Sequence, residues 1–218
     1  MKTLLHIDAS ARTNRSLSRE LSGRFIKEWK TKRPNDCIIR RDVGIKPPPA
    51  TTEAWIDAAF TDEANRSYEQ RQELKLSDIL INELVQSDII VIGTPMYNYG
   101  MPVSLKAWID QVIRVNKTFS FDLSRGEHPI KPIQSGKTLV ILSASGEGGF
   151  LSEQQNANDN YLHPHIIKCF EILGVDNHNI IAIEYQEFGD DRHSKSLEDA
   201  HNAVPKLVEN LTTYIHDV

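Results

Sequence analysis

The stretch DIIVIGTPMYNYGMPVSLKAWID, residues 88–110, contains a strand, a loop and a helix in immediate succession. Its first part, DIIVIGT at 88–94, is short, rich in isoleucine and barely alternating, which is typical of a strand buried on both faces of a sheet. Pro95 ends this strand, Gly100 is expected to permit a turn that other residues resist, and Pro102 suits the first helical position. One apolar stripe then predicts the helix, at Leu105, Trp108, Ile109 and Val112.

The same alternation of strand and helix continues on both sides of this stretch. Three further apolar runs predict buried strands: TLLHID at 3–8, KTLVILS at 137–143 and NIIAIEY at 179–185. The more charged run CIIRRDV, at 37–43, predicts an edge strand. Apolar stripes predict two helices, one at Leu17, Leu21, Phe25 and Trp29 and one at Leu76, Ile79, Leu80 and Leu84. Two more helices are predicted near residues 158–173 and 194–216. The sequence therefore predicts an α/β fold with a five-stranded parallel sheet, in the order 2-1-3-4-5, and helices on both faces.

The length favours one domain over residues 1–218. The segment 44–72 does not fit the alternation, because Pro47, Pro48 and Pro49 stop any regular element and the rest is a weak helical pattern. We interpret 44–72 as an insertion over the rim of the sheet. The role of Trp55 within it is left open by the sequence.

Composition and charge exclude several classes of function. The net charge is −5 and no block is basic, so nucleic acid is not an expected partner. The first apolar run is too short and too polar for a signal peptide, and no run could span a bilayer, so we expect a cytoplasmic protein with no membrane partner. Cys37 and Cys169 have neither metal nor redox spacing. His163 and His165 do not share a helix face, so no metal site is predicted.

The predicted topology places a ligand at the carboxyl ends of strands 1, 3 and 4. The loop after strand 1, DASARTNRSLSREL at 8–21, is rich in hydroxyl groups, and Ser16 is a candidate N-cap. A helix N-terminus with hydroxyl groups around it can bind a phosphate, with Arg12 or Arg15 adding a charge-assisted contact. An ordinary capped loop has the same composition. Neither a GxGxxG nor a P-loop motif is present.

The loops after strands 3 and 4 have unusual compositions. The first exposes a methionine and two tyrosines at 96–99, which an aromatic ring of a ligand would cover. Packing against a neighbouring subunit is the alternative, and both can hold together. The second, SASGEGGF at 143–150, has glycines at 146, 148 and 149 that let backbone N–H groups approach a ligand. A flexible loop would look the same.

Taken together, these motifs resemble the FMN-dependent NADH-azoreductase family, within the flavodoxin-like quinone reductases. The resemblance runs nearly from end to end and is most specific in TPMYNYGMPVSLKAWIDQV, in TFSF at 118–121 and in SARTNRSLSREL. It implies a flavodoxin-like fold, bound FMN, NADH or NADPH as co-substrate, quinones and azo dyes as acceptors, and a homodimer with a site near each subunit boundary. The related FAD-binding quinone reductases share a similar loop after strand 3, so FAD is the alternative flavin.

The resemblance also implies a set of cofactor contacts. The phosphate group would be held at Ser10, Ser16, Leu17 and Ser18, the ring would be cradled by Met96, Tyr97, Asn98 and Tyr99, and the far edge of the ring would meet Ser143, Ala144, Ser145 and Gly146. One departure concerns the last loop, which in the family is closer to Ser-x-Gly-Gly. Here Ser145 and Glu147 interrupt the glycines, and an inward-pointing Glu147 would oppose negative charge on a reduced ring.

The function predicted from these loops is two-electron, ping-pong hydride transfer from NAD(P)H to quinones and azo compounds. The flavin would carry the chemistry, so no catalytic side chain is predicted. A flavodoxin-type electron carrier and a non-catalytic flavin-binding module are the alternatives. The sequence leaves open the physiological substrate and the choice between NADH and NADPH.

Overall fold

In a computed structural model that describes residues 1–213, one parallel sheet forms the centre of the molecule. Its strands are β1 (Thr3–Asp8), β2 (Cys37–Asp42), β3 (Ile89–Pro95), β6 (Lys137–Ala144) and β7 (Val175–Ile183), with the short antiparallel pair β4 (Phe119–Phe121) and β5 (Ile130–Pro132) outside it. The order β2-β1-β3-β6-β7 is the predicted order 2-1-3-4-5 once the antiparallel pair is set aside. The predicted topology is therefore confirmed.

Helices connect the strands and cover both faces of the sheet. They are α1 (Leu17–Lys32), α2 (Glu53–Phe60), α3 (Tyr68–Glu73), α4 (Lys75–Gln86), α5 (Val103–Val112), α6 (His163–Ile172) and α7 (Asp191–Thr213). The helix predicted near 158–173 begins later than expected, because Asn160 holds the chain in a turn that precedes α6. The helix predicted near 194–216 begins at Asp191, and its last predicted residues, 214–216, lie outside the described residues.

Two apolar layers, one on each face of the sheet, form the core. On one face α1 and α7 cover Leu4, Val91, Val140 and Leu142, and on the other α4, α5 and α6 cover Leu5, Ile90, Leu139 and Ile141. Each layer is completed by a stacked aromatic pair, Phe25 with Trp29 and Trp108 with Phe170. Because successive strand residues point to opposite faces, the near-continuous apolar runs supply both layers.

The segment 44–72 contains α2 and most of α3, and it is attached to α5. The indole N–H of Trp55 donates to Gln111 Oε1 at 3.0 Å, and the Gln111 amide donates to the carbonyl oxygen of Pro49 at 3.2 Å. Trp55 is buried, together with Ala58 and Leu74. The role of Trp55, which the sequence left open, is thus to anchor this segment within the chain.

No helix within residues 1–213 combines the length and the apolar character that crossing a bilayer requires.

Candidate active site at the carboxyl ends of the strands

A cleft with two adjoining lobes lies where β1, β3 and β6 end. One lobe, here called the serine lobe, is lined by Ser10, Arg12, Arg15, Ser16, Leu17, Ser18, Pro95, Met96, Tyr97, Ala144, Ser145, Gly146, Gln186 and Glu187. The other, the aromatic lobe, is lined by Met96, Asn98, Tyr99, Ser145, Gly146, Glu147, Phe150 and Glu187. Parallel strands end at one edge of the sheet, so the loops that follow them meet there.

The structure brings together eleven of the twelve residues predicted to contact the cofactor, since all except Ser143 line the cleft. Ser143 lies on β6 with its side chain on the same face as Leu139 and Ile141, towards α6. Its hydroxyl oxygen is 2.9 Å from His163 Nε2. The alternation of side chains along a strand explains why it faces the helix and not the cleft.

The serine lobe is built around the N-terminus of α1. Ser16 caps this helix by accepting a hydrogen bond from the backbone N–H of Arg19 at 3.5 Å, and the first intrahelical bond runs from Glu20 N to Ser16 O. The N–H groups of Leu17 and Ser18 precede that bond and lie at the positive end of the helix dipole. With the nearby hydroxyl groups and two arginines, this lobe has the donors that a phosphate group requires.

Arg19, which the sequence analysis did not identify, fixes the backbone of this lobe. Its Nε and Nη2 donate to the carbonyl oxygen of Ser10 at 3.2 and 2.6 Å, and its Nη1 and Nη2 pair with the Asp42 carboxylate at 2.7 Å each. These hydrogen bonds lower the pKa of Asp42 and raise that of Arg19. Gly44 allows a close approach, because a Cβ there would lie 2.1 Å from Ser10 O. The position of Asp42 at the end of β2, beside β1, is the signal that could have revealed this pair.

The loop after β3 forms a two-residue turn between Tyr97 and Gly100, which exchange backbone hydrogen bonds of 2.9 and 3.0 Å. The turn residues Asn98 and Tyr99 have φ values of 48° and 64°. The expectation that Gly100 supplies the unusual backbone conformation is therefore wrong, because the left-handed geometry of this type of turn falls on the two central residues. Tyr97 and Tyr99 remain 40% and 44% exposed, so the turn presents aromatic surface to the cleft.

The glycines of the loop after β6 accommodate side chains from the segment after β7. A Cβ on Gly148 would lie 2.3 Å from the Tyr185 ring, and one on Gly146 would lie 2.6 Å from Glu187 Cγ. The buried Glu184 carboxylate accepts hydrogen bonds from the backbone N–H groups of Gly149 and Phe150, at 3.2 and 3.0 Å. A fourth segment therefore shapes the cleft.

Gln186 and Glu187 of that fourth segment line the cleft, and the sequence analysis did not identify them. Their position could have been predicted, because the polar run EYQEFGDD at 184–191 follows β7, and β7 pairs with β6, whose own loop lines the cleft. The segment is held in place partly by Arg192, whose guanidinium lies 4.1 Å above the centre of the Phe188 ring.

The carboxylate of Glu147, whose direction could not be told from the sequence, lies in the aromatic lobe. The Tyr99 hydroxyl donates to Glu147 Oε1 at 3.2 Å, and this hydrogen bond to the carboxylate raises the pKa of Tyr99. The Tyr99 ring also meets Phe150 edge to face at 6.2 Å between ring centres. Glu147 therefore lines the lobe, and its carboxylate meets the Tyr99 hydroxyl.

A buried polar network lies behind the loop after β6. Asn160 accepts hydrogen bonds from the backbone N–H groups of Leu162 and His163, and its amide group lies 2.9 Å from His163 Nδ1 and donates to Phe150 O. Burial lowers the pKa of His163 to about 4. Because both amide hydrogens of Asn160 donate, His163 Nδ1 accepts, and the neutral ring donates from Nε2 to Ser143 Oγ.

Comparisons with known proteins agree with this fold and site. Residues 2–208 match the model of a family described as having a flavodoxin-like fold. The chain is 49% identical to FMN-dependent NADH:quinone oxidoreductase 2 of Colwellia psychrerythraea, over 97% of this chain and 100% of that protein. It is 36% identical to FMN-dependent NAD(P)H:quinone oxidoreductase 1 of Pseudomonas aeruginosa, over 96% of this chain and 100% of the relative.

Solved structures give the same architecture. An FMN-dependent NADH-azoreductase from Bacillus anthracis, in complex with FMN, superposes with a TM-score of 0.84 over 97% of this chain and 99% of that one, at 18% identity. The fold and the cleft define a flavodoxin-like α/β protein with its binding site at the carboxyl ends of the strands. The chain belongs to the flavodoxin-like family that includes the FMN-dependent NADH:quinone oxidoreductases.

Proposed function

We propose that this chain is an FMN-dependent NAD(P)H oxidoreductase that reduces quinones and azo compounds. The observation that carries this proposal is one cleft that joins an anion-binding helix N-terminus to an exposed aromatic turn, matching the two ends of FMN. Relatives over nearly the full length are named for this activity, with NADH or NAD(P)H as the electron donor. Those names favour the enzyme over an electron carrier or a non-catalytic binding module.

The residues of the cleft fit FMN at both ends. In the serine lobe, the hydroxyl groups of Ser10, Ser16 and Ser18 and the first N–H groups of α1 would hold the phosphate group. At the other end, Met96, Tyr97, Asn98 and Tyr99 would cradle the ring, while Ala144, Ser145 and Gly146 would meet its far edge. Ser143 belongs to the same proposed set; its side chain bonds to His163, so it would support the loop after β6 from behind the cleft.

FMN, held by the residues named above, would supply the two-electron chemistry between the nicotinamide and the acceptor. The protein supplies binding, orientation and hydrogen-bond donors. Tyr99 is protonated at neutral pH because the ordinary pKa of a tyrosine is about 10, and its hydrogen bond to Glu147 raises that pKa further. Tyr97 would donate its hydroxyl hydrogen to the oxygen of a quinone, and Tyr99 would do so after exchanging its hydrogen bond to Glu147 for one to the quinone. No side chain is an obligatory acid or base in this scheme.

The active species is proposed to be a cytoplasmic homodimer. Large apolar side chains near the cleft and on the 44–72 segment are exposed, among them Phe60, Tyr68, Val103 and Tyr161. An isologous contact would cover this surface, and it would place the partner close to the aromatic turn. Sedimentation at micromolar concentration should give a dimer, and a fully active monomer would contradict the proposal.

The test of the function is reconstitution followed by steady-state turnover. Purified protein incubated with FMN should retain one FMN per chain, identified by chromatography after release by heat. The reconstituted protein should then oxidise NADH or NADPH in the presence of a benzoquinone. Retention of FAD alone, or of neither flavin, would contradict the cofactor assignment. Tight FMN binding with negligible turnover would favour the electron carrier.

A further inference from the structure

Two carboxylates lie on the wall of the aromatic lobe, at Glu147 and Glu187. Glu187 is held against the loop after β6, because its backbone N–H donates to Gly146 O at 3.0 Å and its side chain lies where a Gly146 Cβ would project. Glu147 is held by its own backbone carbonyl, which accepts hydrogen bonds from Ser145 Oγ at 2.8 Å and Tyr185 N at 3.1 Å. The backbones of both residues are therefore fixed beside the lobe, and their carboxylates reach its wall.

No lysine, arginine or histidine is among the lining residues of this lobe in the part of the chain that the structure describes. The two arginines of the cleft, Arg12 and Arg15, line the serine lobe. Arg192, from the neighbouring segment, is paired with Asp190 through three hydrogen bonds of 2.6 to 3.2 Å. Among the described residues, cations therefore line the serine lobe alone, Glu147 lines the aromatic lobe alone, and Glu187 lies where the two lobes adjoin.

We propose that Glu147 and Glu187 set the charge selectivity of the acceptor, so that uncharged quinones and azo compounds are used and sulfonated or carboxylated ones are discriminated against. This inference rests on the proposed function, since it concerns what enters the same site. An anionic substituent in the aromatic lobe meets two like charges and no compensating cation. An uncharged acceptor of the same shape, lying against the ring of the bound FMN, meets no such repulsion.

The size of the effect follows from the exposure of the two carboxylates. Both side chains are exposed, so water and salt screen their fields. Like charges several ångströms apart in such a setting disfavour binding about 3- to 10-fold for each pair. Screening also predicts the direction of the salt effect, because salt weakens the repulsion. Added salt should raise the turnover of an anionic acceptor and leave that of a neutral acceptor nearly constant.

The experiment compares a neutral and an anionic acceptor on the same ring system, 2-methyl-1,4-naphthoquinone and 1,4-naphthoquinone-2-sulfonate. Values of kcat/KM are measured for the FMN-loaded wild type, for Glu147→Gln, for Glu187→Gln and for the double variant. Glutamine removes the charge and keeps an oxygen that can accept the Tyr99 hydrogen bond. The anionic-to-neutral ratio of kcat/KM should rise about 3- to 10-fold in each single variant and further in the double variant.

A second readout does not depend on turnover. Dissociation constants of the sulfonate for the oxidised, FMN-loaded protein, from the change in flavin absorbance, should fall by the same factors. The matched control is Glu209→Gln, which removes one exposed carboxylate near Lys32 at the far end of α1, about 24 Å from its N-terminus in the cleft. The ratio and the dissociation constant should not change in that variant.

The outcomes separate this inference from the proposed function. If no quinone of either charge is reduced by FMN-loaded wild type, the proposed function fails. If the neutral quinone is reduced but neither the ratio nor the dissociation constant changes in the double variant, the selectivity proposal is overturned and the function stands. Equal changes in Glu209→Gln would show that net charge alone is responsible, which also overturns the proposal.

Discussion

The guanidinium group of Arg19 and the carbonyl oxygen of Ser10 are joined by two hydrogen bonds, of 3.2 and 2.6 Å. They connect the first turn of α1 to the first residues of the loop after β1. The same guanidinium is held by Asp42 at the end of the neighbouring strand. Three elements therefore determine where the Ser10 backbone lies.

Replacing Arg19 with lysine should weaken FMN binding by about 1–2 kcal/mol, or about 5- to 30-fold. A lysine keeps the charge beside Asp42, but it lacks the planar fork that bonds Ser10 and Asp42 together. Fluorescence titration of FMN measures the change. Arg33→Lys is the control, because Arg33 pairs with Asp36 at the other end of α1. Equal affinity in wild type and Arg19→Lys would show that the loop holds its position without this contact.

Replacing both Ser16 and Ser18 with alanine should weaken FMN binding by about 1–3 kcal/mol, since hydrogen bonds to charged groups have this strength. Ser18 is buried and Ser16 is half-buried, and their hydroxyl oxygens lie 3.4 Å apart at the helix N-terminus. Loss of the Ser16 cap should also lower the free energy of unfolding by about 0.5–2 kcal/mol.

Thr52→Ala separates these two effects, because Thr52 caps α2 outside the cleft by accepting from Trp55 N at 3.1 Å. It should lower stability and leave FMN affinity unchanged. If the double serine variant binds FMN as tightly as wild type, the backbone N–H groups of α1 alone would be sufficient for the phosphate.

The strand order and most of the cleft could be predicted because each depends on local patterns. Apolar runs predict buried strands, and parallel strands place the loops at one edge. The direction of a side chain and its partners depend on tertiary structure, which explains why the features that follow were not predicted. Ser143 faces α6 because of its strand register, and Arg19 matters only because β2 ends beside it. Gly100 was expected to permit the turn because it is a glycine, but the residues with left-handed backbone conformation are Asn98 and Tyr99.

His163 should make stability depend on pH between about 4 and 6.5. Its pKa is about 4 in the folded chain against an ordinary 6.5, so folding releases its proton in this window. The unfolded chain binds more protons there, and the free energy of unfolding therefore rises with pH. The contribution is fully present above pH 6.5 and is lost as pH falls towards 4. It amounts to about 1.4 kcal/mol per pH unit, or about 3 kcal/mol in total.

Urea unfolding at several pH values measures this dependence in wild type and in His163→Gln. The variant cannot take up the proton, so its unfolding free energy should vary less with pH by the amount just given. His178→Gln is the matched control, since it removes an exposed histidine of β7 instead of the buried one. Identical pH profiles for wild type and His163→Gln would mean that His163 is not held neutral by its surroundings.

The kinetic pattern follows from the single cleft. A nicotinamide and a flat acceptor would both have to enter through the aromatic lobe, between the 96–99 turn and the 145–150 loop. The two cannot be bound there together, so the reaction should be ping-pong. Double-reciprocal plots for NADH and a benzoquinone should be parallel, and the quinone should inhibit competitively against NADH at high concentration. Full reduction of an azo bond to two amines needs four electrons, so each dye should consume two NADH.

The plots discriminate between one binding site and two. Intersecting lines would show that donor and acceptor are bound at the same time, which would require a second site outside the aromatic lobe. Product inhibition gives an independent check: NAD⁺ should compete with the quinone, because both would bind the form of the enzyme that has already received the hydride. If NAD⁺ instead competes only with NADH while the plots intersect, the single-cleft scheme is wrong even when turnover is fast.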